Sequence, residues 1–457
     1  MNQTNHQLKR SLGLYDVIAI IVGIIVGSSI FQTPSSIAGL LQSGSWIVFI
    51  WILGGLFSFI GALCYAELAS AYPREGGDYY FLHHTYGPWS GFLYAWGRLL
   101  VIHSGNIAMM AWIAGTYGEK LLPLFLNGFF GSYDENSFLI IHASTILSVS
   151  AVVLLTLINL IGLRAGKWTQ NLLAAAQIIG LSAVILVAFI FSSPAEPAAA
   201  SDTTIPFAFG QFFLAFIFVQ ITFGGWSDCA FVAAEVKRPE KNIFRALMIG
   251  LAIVTAVYVL INLALVYALG HAGMAESNQI MASVMTKGIG PIGGHMISAI
   301  VVICALASVN GMILVGGRIY HPFGRDHQLF HILSQWNPKS SVPTAAFVVQ
   351  GVIACALLFW GNFEELVIFT SAAHWLFMAM VGISLLVLRW REPDVHRPFR
   401  VPLYPVIPLL YIATCLMLLY SSFNYASSIT PYGAWIGFGI VLLGLPVYWL
   451  SQHLNKK

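Results

Sequence analysis

The chain has 457 residues, of which 58% are apolar and only 9% are charged. Soluble domains carry about 25% charged residues, so the composition excludes a water-soluble enzyme of this length. An aromatic fraction of 14%, together with glycines that follow no three-residue period, excludes a disordered or collagen-like chain. The net charge of +3 is too small for so long a chain to indicate a nucleic-acid partner.

Long apolar runs account for most of the sequence. A hydrocarbon layer about 30 Å thick is crossed by about 20 mostly apolar helical residues. Twelve runs meet this requirement, so the sequence predicts an all-α membrane protein with twelve transmembrane helices and short loops. The predicted spans are residues 14–43, 46–72, 87–118, 138–161, 168–191, 208–236, 243–269, 291–316, 343–360, 364–389, 402–424 and 432–451.

The basic residues predict the orientation of these spans, because cytoplasmic loops carry an excess of Lys and Arg. With the N-terminus inside, all of the 21 Lys and Arg except Lys120, Lys287 and Arg98 fall in inner segments or at inner span ends. We therefore expect a multi-pass protein of the cell membrane whose tails, residues 1–13 and 452–457, are both cytoplasmic. The N-terminal segment shows no signal-peptide cleavage site.

Spans 1 and 6 are predicted to be broken helices. Residues 27–31 (GSSIF) interrupt the first span and residues 222–226 (TFGGW) interrupt the sixth at a matching depth, and helix-starting residues follow each interruption. Backbone freed from a helix at mid-membrane is costly unless it lines a cavity. Such paired interruptions indicate a transporter with inverted repeats. The predicted repeats are residues 14–191 (helices 1–5) and 208–389 (helices 6–10), followed by helices 11 and 12 over residues 402–451.

The two breaks suit a zwitterionic amino acid. Free amides and the positive ends of the outer half-helices attract a carboxylate, while freed carbonyls attract an ammonium group. Glycine also serves close helix packing in membranes, and Gly23 and Gly27 form a small-xxx-small face, but the matched depth of the breaks favours a binding site. The candidate substrate-binding residues at the breaks are Gly27, Ser28, Ser29, Ile30, Thr222, Phe223, Gly224, Gly225 and Trp226.

Motifs for catalysis or metal binding are absent from the sequence. It contains no HExxH, GxSxG or GxxxxGK motif, and its scattered His and Asp residues lack metal-ligand spacing. We therefore expect no enzymatic activity, no metal and no cofactor.

Several motifs occur in the order found in a known family. They are residues 24–31 (IIVGSSIF), 64–80 (CYAELASAYPREGGDYY), 222–226 (TFGGW) and 233–245 (AAEVKRPEKNIFR), and the region from Asn310 through residues 316–318 (GGR) and 324–326 (GRD). On these motifs the chain resembles the amino acid–polyamine–organocation superfamily, in particular its L-type amino acid transporter branch. The resemblance implies a LeuT-like five-plus-five inverted repeat with two added C-terminal helices, and transport by alternating access.

The resemblance also implies how the substrate is held. Main-chain amides around Ser28, Ser29 and Ile30 are expected to bind the α-carboxylate. The α-ammonium is expected to bind carbonyls at Ile25, Ile221 and Gly224. This assignment agrees with the dipole argument.

Four departures from the family pattern carry consequences. Ser29 stands where the family usually has glycine, which adds bulk near the substrate α-carbon and favours small substrates or a displaced pose. Ile221 stands where many relatives have an aromatic gate, which weakens occlusion. Gln177 stands where many relatives carry a lysine in the place of a sodium ion. Residues 119–137 contain no cysteine, so we expect no disulfide-linked heavy chain.

Intramembrane ionisable groups are candidates for coupling or gating, together with Gln177. Asp228 is interpreted as the cap of the second half of span 6 rather than a substrate or proton ligand. Glu67 and Glu235 are expected to pair with loop arginines in a network that closes the inner gate. His103 is interpreted as a hydrogen-bonded packing residue rather than a proton carrier. In a regular helix it lies about 140° around the axis from Arg98.

The sequence favours a secondary active transporter of amino acids, small or neutral L-amino acids in particular, working by sodium-independent exchange or uniport. Asp228 and His103 leave a proton-coupled importer or an amine/polyamine exchanger as an alternative. A membrane sensor of amino acids is the alternative from a different class, although the short loops leave no room for a soluble output domain. The expected partners are the amino acid substrate and the lipid bilayer.

Overall fold

The fold is known from a computed structural model. The residues that it describes form helices joined by short loops, and no β-strand occurs among them. Eight of the helices are long and apolar enough to cross a membrane, and four further apolar helices of 10–17 residues are shorter. The all-α class is therefore confirmed, while the number of spans stays a prediction. The described residues are 13–74, 76–122, 143–161, 178–195, 208–228, 236–337 and 342–454.

The described residues of the first half of the chain form eight α-helices. Span 1 is divided into two of them, and span 3 contains a π-helical turn. In chain order the elements are α1 (Leu14–Ile25), a 3₁₀ segment (Ser28–Phe31), α2 (Thr33–Leu40), α3 (Gly44–Ala71), α4 (Asp78–Tyr86), α5 (Pro88–Gly97), the π-helical turn (Arg98–Ile102), α6 (His103–Glu119), α7 (Ala143–Ile161) and α8 (Ile178–Ile190).

Eight more α-helices occur among the described residues of the second half. Helix α9 and the 3₁₀ segment that follows it belong to the predicted span 6. In chain order the elements are α9 (Phe209–Thr222), a 3₁₀ segment (Trp226–Asp228), α10 (Pro239–Ala275), α11 (Ile280–Ile289), α12 (Pro291–Asp326), a 3₁₀ segment (Gln328–Ser334), α13 (Thr344–Leu358), α14 (Phe363–Arg391), α15 (Val406–Asn424), a 3₁₀ segment (Ala426–Ser428) and α16 (Gly433–Leu454).

Local sequence explains where several of these helices begin. The side chain of Ser43 accepts a hydrogen bond from the amide of Trp46 and caps α3. Asn362 and Glu365 form a reciprocal capping box at the start of α14. Proline occupies the first turn of α5, α10 and α12, where no amide partner is needed.

Helix packing places the interruption of span 1 inside the bundle. Helix α10 packs along α3 and α1, α6 packs on α12 and α7, and α14 packs on α15 and α16. The 3₁₀ segment Ser28–Phe31 contacts α6 and α12 and is buried. Large apolar side chains such as Leu154, Val352 and Leu443 lie exposed on the outside of the bundle, as expected for helices that face lipid. The polar backbone of the break is thus enclosed by protein.

Candidate functional site

The first helix break lies where the sequence predicts it. Helix α1 ends at Ile25, and Gly27 is extended, with φ −89° and ψ 177°. Residues 28–31 then form a 3₁₀ turn before α2 begins at Thr33. A Cβ atom at Gly27 would make ordinary van der Waals contacts, 3.8 Å from the Ile25 carbonyl oxygen and 3.9 Å from the hydroxyls of Ser29 and Ser308. Polar groups therefore surround the main chain at this point.

The second break depends on its two glycines. Helix α9 ends at Thr222, and Gly225 has a φ of +100°, which favours glycine over every other residue. A Cβ atom at Gly224 would lie 2.9 Å from the carbonyl oxygen of Ile221. The Gly224 amide donates to that same carbonyl at 3.0 Å. The tight turn therefore excludes side chains at both positions.

Tyr258 of α10 joins the two breaks. Its hydroxyl lies 2.8 Å from the carbonyl oxygen of Ile25 and 3.3 Å from that of Thr222, and the residue is fully buried. The hydroxyl of Thr222 also reaches the hydroxyl of Thr33 at 2.8 Å. The carbonyl groups released by the two breaks consequently lie side by side. The sequence analysis missed Tyr258, because it stands in an uninterrupted apolar run and no motif marks it.

Amides and hydroxyls surround the start of the 3₁₀ segment. The Ser28 amide donates to Oγ of Ser308 in α12 at 3.3 Å, and the Ser28 hydroxyl lies 2.9 Å from the sulfur of Met110 in α6. The hydroxyl of Tyr117 donates to the Phe31 carbonyl at 2.9 Å. The first amides of a helical segment have no preceding turn whose carbonyls could accept their hydrogen bonds, so they can donate to other groups. This end of the break is therefore rich in hydrogen-bond donors.

Within the described part of the chain, the hydrogen bonds of residues 25–31 and 221–226 come from hydroxyl, thioether and main-chain groups, and none comes from a charged side chain. Donors gather at Ser28, and acceptors gather at Ile25 and Thr222. The two ends of a zwitterion can accordingly be recognised by main-chain dipoles.

Comparison with known proteins agrees with this arrangement. A family model described as "Amino acid permease" matches residues 12–445. The chain belongs to the amino acid permease family. It is 30% identical over 456 residues to the rabbit (Oryctolagus cuniculus) "Large neutral amino acids transporter small subunit 2", covering 98% of this chain and 82% of that protein. It is 29% identical over 458 residues to the mouse (Mus musculus) "Asc-type amino acid transporter 1", with the same coverage of both chains.

A third relative is the human (Homo sapiens) "Cystine/glutamate transporter", which is 29% identical over 467 residues, covering 100% of this chain and 88% of that protein. The three relatives are all named as transporters of amino acids. Together with the apolar helices, the family shows that this permease is a multi-pass membrane protein that transports amino acids.

The aromatic residues of the second break pack mainly towards α3 and α10 of the permease. The ring of Phe223 lies 5.1 Å from that of Tyr258. Trp226 meets Tyr65 of α3 edge to face at 5.0 Å, and a Cβ atom at Gly61 would lie 2.6 Å from the Trp226 ring. The ring of Trp226 thus fits against a glycine of α3.

Ser29, Ile30 and Ile221 are also found at the breaks. Ser29 and Ile30 belong to the buried 3₁₀ segment, and Ile221 is half-buried in the last turn of α9. Asp228 is the last residue of the 3₁₀ segment after the second break. Gln177 and Glu235 lie outside the described residues.

The π-helical turn changes the predicted relation between Arg98 and His103. The His103 amide donates to the Arg98 carbonyl, so His103 stands one π-turn above Arg98. The separation of about 140° expected for a regular helix is therefore wrong. Both residues lie near Tyr320 of α12. Its ring centroid is 6.2 Å from that of His103, and Arg98 is close enough to interact electrostatically with its hydroxyl.

Both residues of this turn are buried and hydrogen-bonded. Nε2 of His103 lies 2.8 Å from the carbonyl oxygen of Met312, a contact that fits the packing interpretation. Nη1 of Arg98 donates to the Tyr94 hydroxyl at 2.6 Å, and that hydroxyl donates to Oδ2 of Asp78 at 3.0 Å. The charge of Arg98 is thus linked to a buried carboxylate at the start of α4, which the sequence analysis did not single out.

Glu67 pairs with two arginines, of which Arg389 lies in the last turn of α14 and not in a loop. Its side chain is 1% exposed, and its carboxylate accepts two hydrogen bonds from Arg389, at 2.7 and 2.5 Å. Arg397 lies 3.6 Å away, and the Val401 amide donates at 2.6 Å. The pairing joins α3 to the end of α14 and to the segment that follows it. Arg389 in turn lies 3.9 Å over the ring of Tyr404.

Proposed function

We propose that this permease carries small or neutral L-amino acids by alternating access around the two helix breaks, through sodium-independent exchange. The proposal includes twelve spans, with the LeuT-like repeats over residues 14–191 and 208–389 and two added helices. Within this arrangement, amides at Ser28, Ser29 and Ile30 bind the α-carboxylate. Carbonyls at Ile25, Ile221 and Gly224 bind the α-ammonium.

One observation carries the proposal: the carbonyls of both breaks converge on the hydroxyl of Tyr258. Because Ile25 precedes the first break and Thr222 ends α9, the convergence supports the proposal that the two interruptions form a single site. The donor-rich turn at Ser28 adjoins the acceptors. A ligand with an anionic and a cationic group on one carbon matches this separation of donors and acceptors.

The proposed substrate size rests on Ser29. This residue is buried in the 3₁₀ segment, where a hydroxymethyl group takes up room beside the proposed carboxylate site. The relatives are named for large neutral, Asc-type and cystine or glutamate substrates, so the family alone does not choose among side chains. The added bulk of Ser29 favours amino acids with smaller side chains.

We further propose a cell-membrane location with both termini cytoplasmic, from the distribution of Lys and Arg. Glu67, Glu235, Asp228 and His103 are the proposed gating or coupling residues. Of these, Glu67 has the strongest support, since its bonds to Arg389 connect two helices at one end of the bundle. We also propose that the permease needs no disulfide-linked heavy chain, because residues 119–137 contain no cysteine.

Proteoliposomes test the proposal directly. Purified permease is reconstituted with an unlabelled amino acid inside, and uptake of each of the common amino acids is measured in sodium and in potassium buffers. We expect uptake of small or neutral amino acids that depends on internal amino acid and is equal in the two buffers. Absence of uptake and exchange across the whole panel would contradict the proposal, and uptake that requires sodium would contradict its coupling.

A further inference from the structure

A polar cluster at the ends of α3 and α14 takes no part in the proposed substrate site. It consists of Tyr72, Tyr80, His84 and Glu392. Oε2 of Glu392 accepts a hydrogen bond from the Tyr72 hydroxyl at 2.7 Å, and Oε1 lies 2.7 Å from Nε2 of His84. The ring of Tyr80 stacks on that of His84, with centroids 5.5 Å apart and planes 10° from parallel. Both carboxylate oxygens are therefore engaged, and the imidazole is held in place by an aromatic ring.

The cluster joins elements whose main packing partners differ, although α3 also contacts α14 and α15. Tyr72 follows α3, which packs mainly on α10, and α1 packs on α10 as well. Glu392 follows α14, which packs on α15 and α16. His84 belongs to α4. Direct polar bonds between α3 and the end of α14 include the buried pair of Glu67 with Arg389 and this more exposed cluster. Movement of α3 relative to α14 would strain both connections.

We propose that Tyr72, His84 and Glu392 form a proton-sensitive clasp, in which a charged His84 holds Glu392 more firmly and slows the separation of α3 from α14 during transport. The inference rests on the proposed alternating-access function. The clasp changes the rate of amino acid transport. It does not couple proton movement to accumulation of the substrate.

The charges around the clasp determine the sign of the effect. The hydrogen bond from Tyr72, and then the neighbouring His84, lower the pKa of Glu392, so this carboxylate stays an anion near neutral pH. Histidine is the side chain whose charge ordinarily changes between pH 5 and 8. A protonated imidazole at this place carries its positive charge 2.7 Å from the lasting negative charge of Glu392. The clasp tightens on acidification.

Other groups limit the size of this effect. The titratable and charged groups at the cluster are Tyr72 after α3, Tyr80 from α4, Arg391 at the end of α14, which donates to the Thr85 carbonyl, and Glu392 with Arg397 in the segment after it. His83 of α4 lies instead beside Tyr79, with ring centroids 6.0 Å apart. Both arginines oppose a further positive charge. The side chains of His84 and Glu392 are also about one-third exposed, at 35% and 31%. For such a surface pair we expect a change of about two- to fivefold.

The transport test compares exchange rates between pH 8 and pH 6, with equal pH on both sides of the proteoliposome membrane. The probe is the radiolabelled neutral amino acid that exchanges fastest in the panel above. In the parent permease the initial rate is expected to fall about two- to fivefold over this range. In His84→Gln, which keeps a hydrogen-bonding side chain but cannot become charged, the rate is expected to stay flat. His83→Gln, which removes the neighbouring histidine of α4, serves as the matched control and is expected to retain the fall.

A second measurement does not depend on transport. Thermal unfolding midpoints of the parent, His84→Gln, Glu392→Gln and the double variant form a double-mutant cycle. The coupling between the two residues is expected to be larger at pH 6 than at pH 8. Equal coupling at both pH values, or a His84→Gln variant with the parent's pH profile, would overturn the clasp. If no variant exchanges amino acids but the coupling between His84 and Glu392 still depends on pH, the proposed function is overturned and the proton-sensitive contact stands.

Discussion

Replacing Tyr258 by phenylalanine tests whether the two breaks act as one site. The substitution removes only the hydroxyl that lies 2.8 Å from the Ile25 carbonyl and 3.3 Å from the Thr222 carbonyl. The Ile25 carbonyl keeps its bond from the Gly27 amide, whereas the Thr222 carbonyl loses this donor. A buried hydrogen bond with one partner removed costs about 1–2 kcal/mol. Because the breaks become less well organised for the ligand, we expect substrate affinity to fall about 5- to 30-fold.

The assay combines thermal unfolding of the purified permease with an amino-acid titration, since a ligand that binds the folded state raises the unfolding midpoint. Tyr320→Phe is the matched control. Tyr320 is also fully buried, but its hydroxyl has no hydrogen-bond partner among the described residues. We expect Tyr320→Phe to change neither stability nor affinity greatly. Equal behaviour of the two variants would refute the role given to Tyr258.

Three further substitutions test other parts of the account. Glu67→Gln leaves the guanidinium of Arg389 without its buried carboxylate, so we expect a loss of about 3–5 kcal/mol in unfolding free energy, seen as a lower melting midpoint; an unchanged midpoint would show that the pair is dispensable. Gly225→Ala forces a φ of +100° on a residue with a Cβ, so we expect it to lower the unfolding free energy by about 1–2 kcal/mol and to abolish uptake. Gly39→Ala is the control, because a Cβ there meets nothing within 4 Å, and it is expected to preserve uptake. Ser29→Gly is expected to admit larger neutral amino acids in the uptake panel, and an unchanged substrate profile would contradict the steric role of Ser29.

The sequence predicted the features that depend on residue type alone. The apolar runs predicted helices, and the glycine pair at 224–225 predicted the second break, because few residues other than glycine adopt the required backbone. The expectation that Glu67 meets arginines also followed from residue type, since a carboxylate within an apolar span needs a cationic partner. These are local requirements that a single sequence displays.

Other features depend on the approach of distant helices. Tyr258 looks like any aromatic residue of an apolar helix until α10 is placed beside α1 and α9, where its hydroxyl meets both breaks. The π-helical turn at Arg98–Ile102 inserts one residue into the helix, and nothing in the local sequence marks it. Consequently the angle between Arg98 and His103 was wrong although both residues had been singled out. The partner of Arg98, reached through Tyr94, likewise depends on how α4 meets α5.

Ligand binding by the purified permease tests the central claim most directly. The amino acid that is transported best is compared with its methyl ester, which lacks the carboxylate, and with its N-acetyl derivative, which lacks the ammonium group. Because amides at Ser28–Ile30 and carbonyls at Ile25, Ile221 and Gly224 are proposed to hold the two groups, we predict a rise in the unfolding midpoint with the free amino acid only. An equal rise with either derivative would contradict recognition of the zwitterion at the two helix breaks.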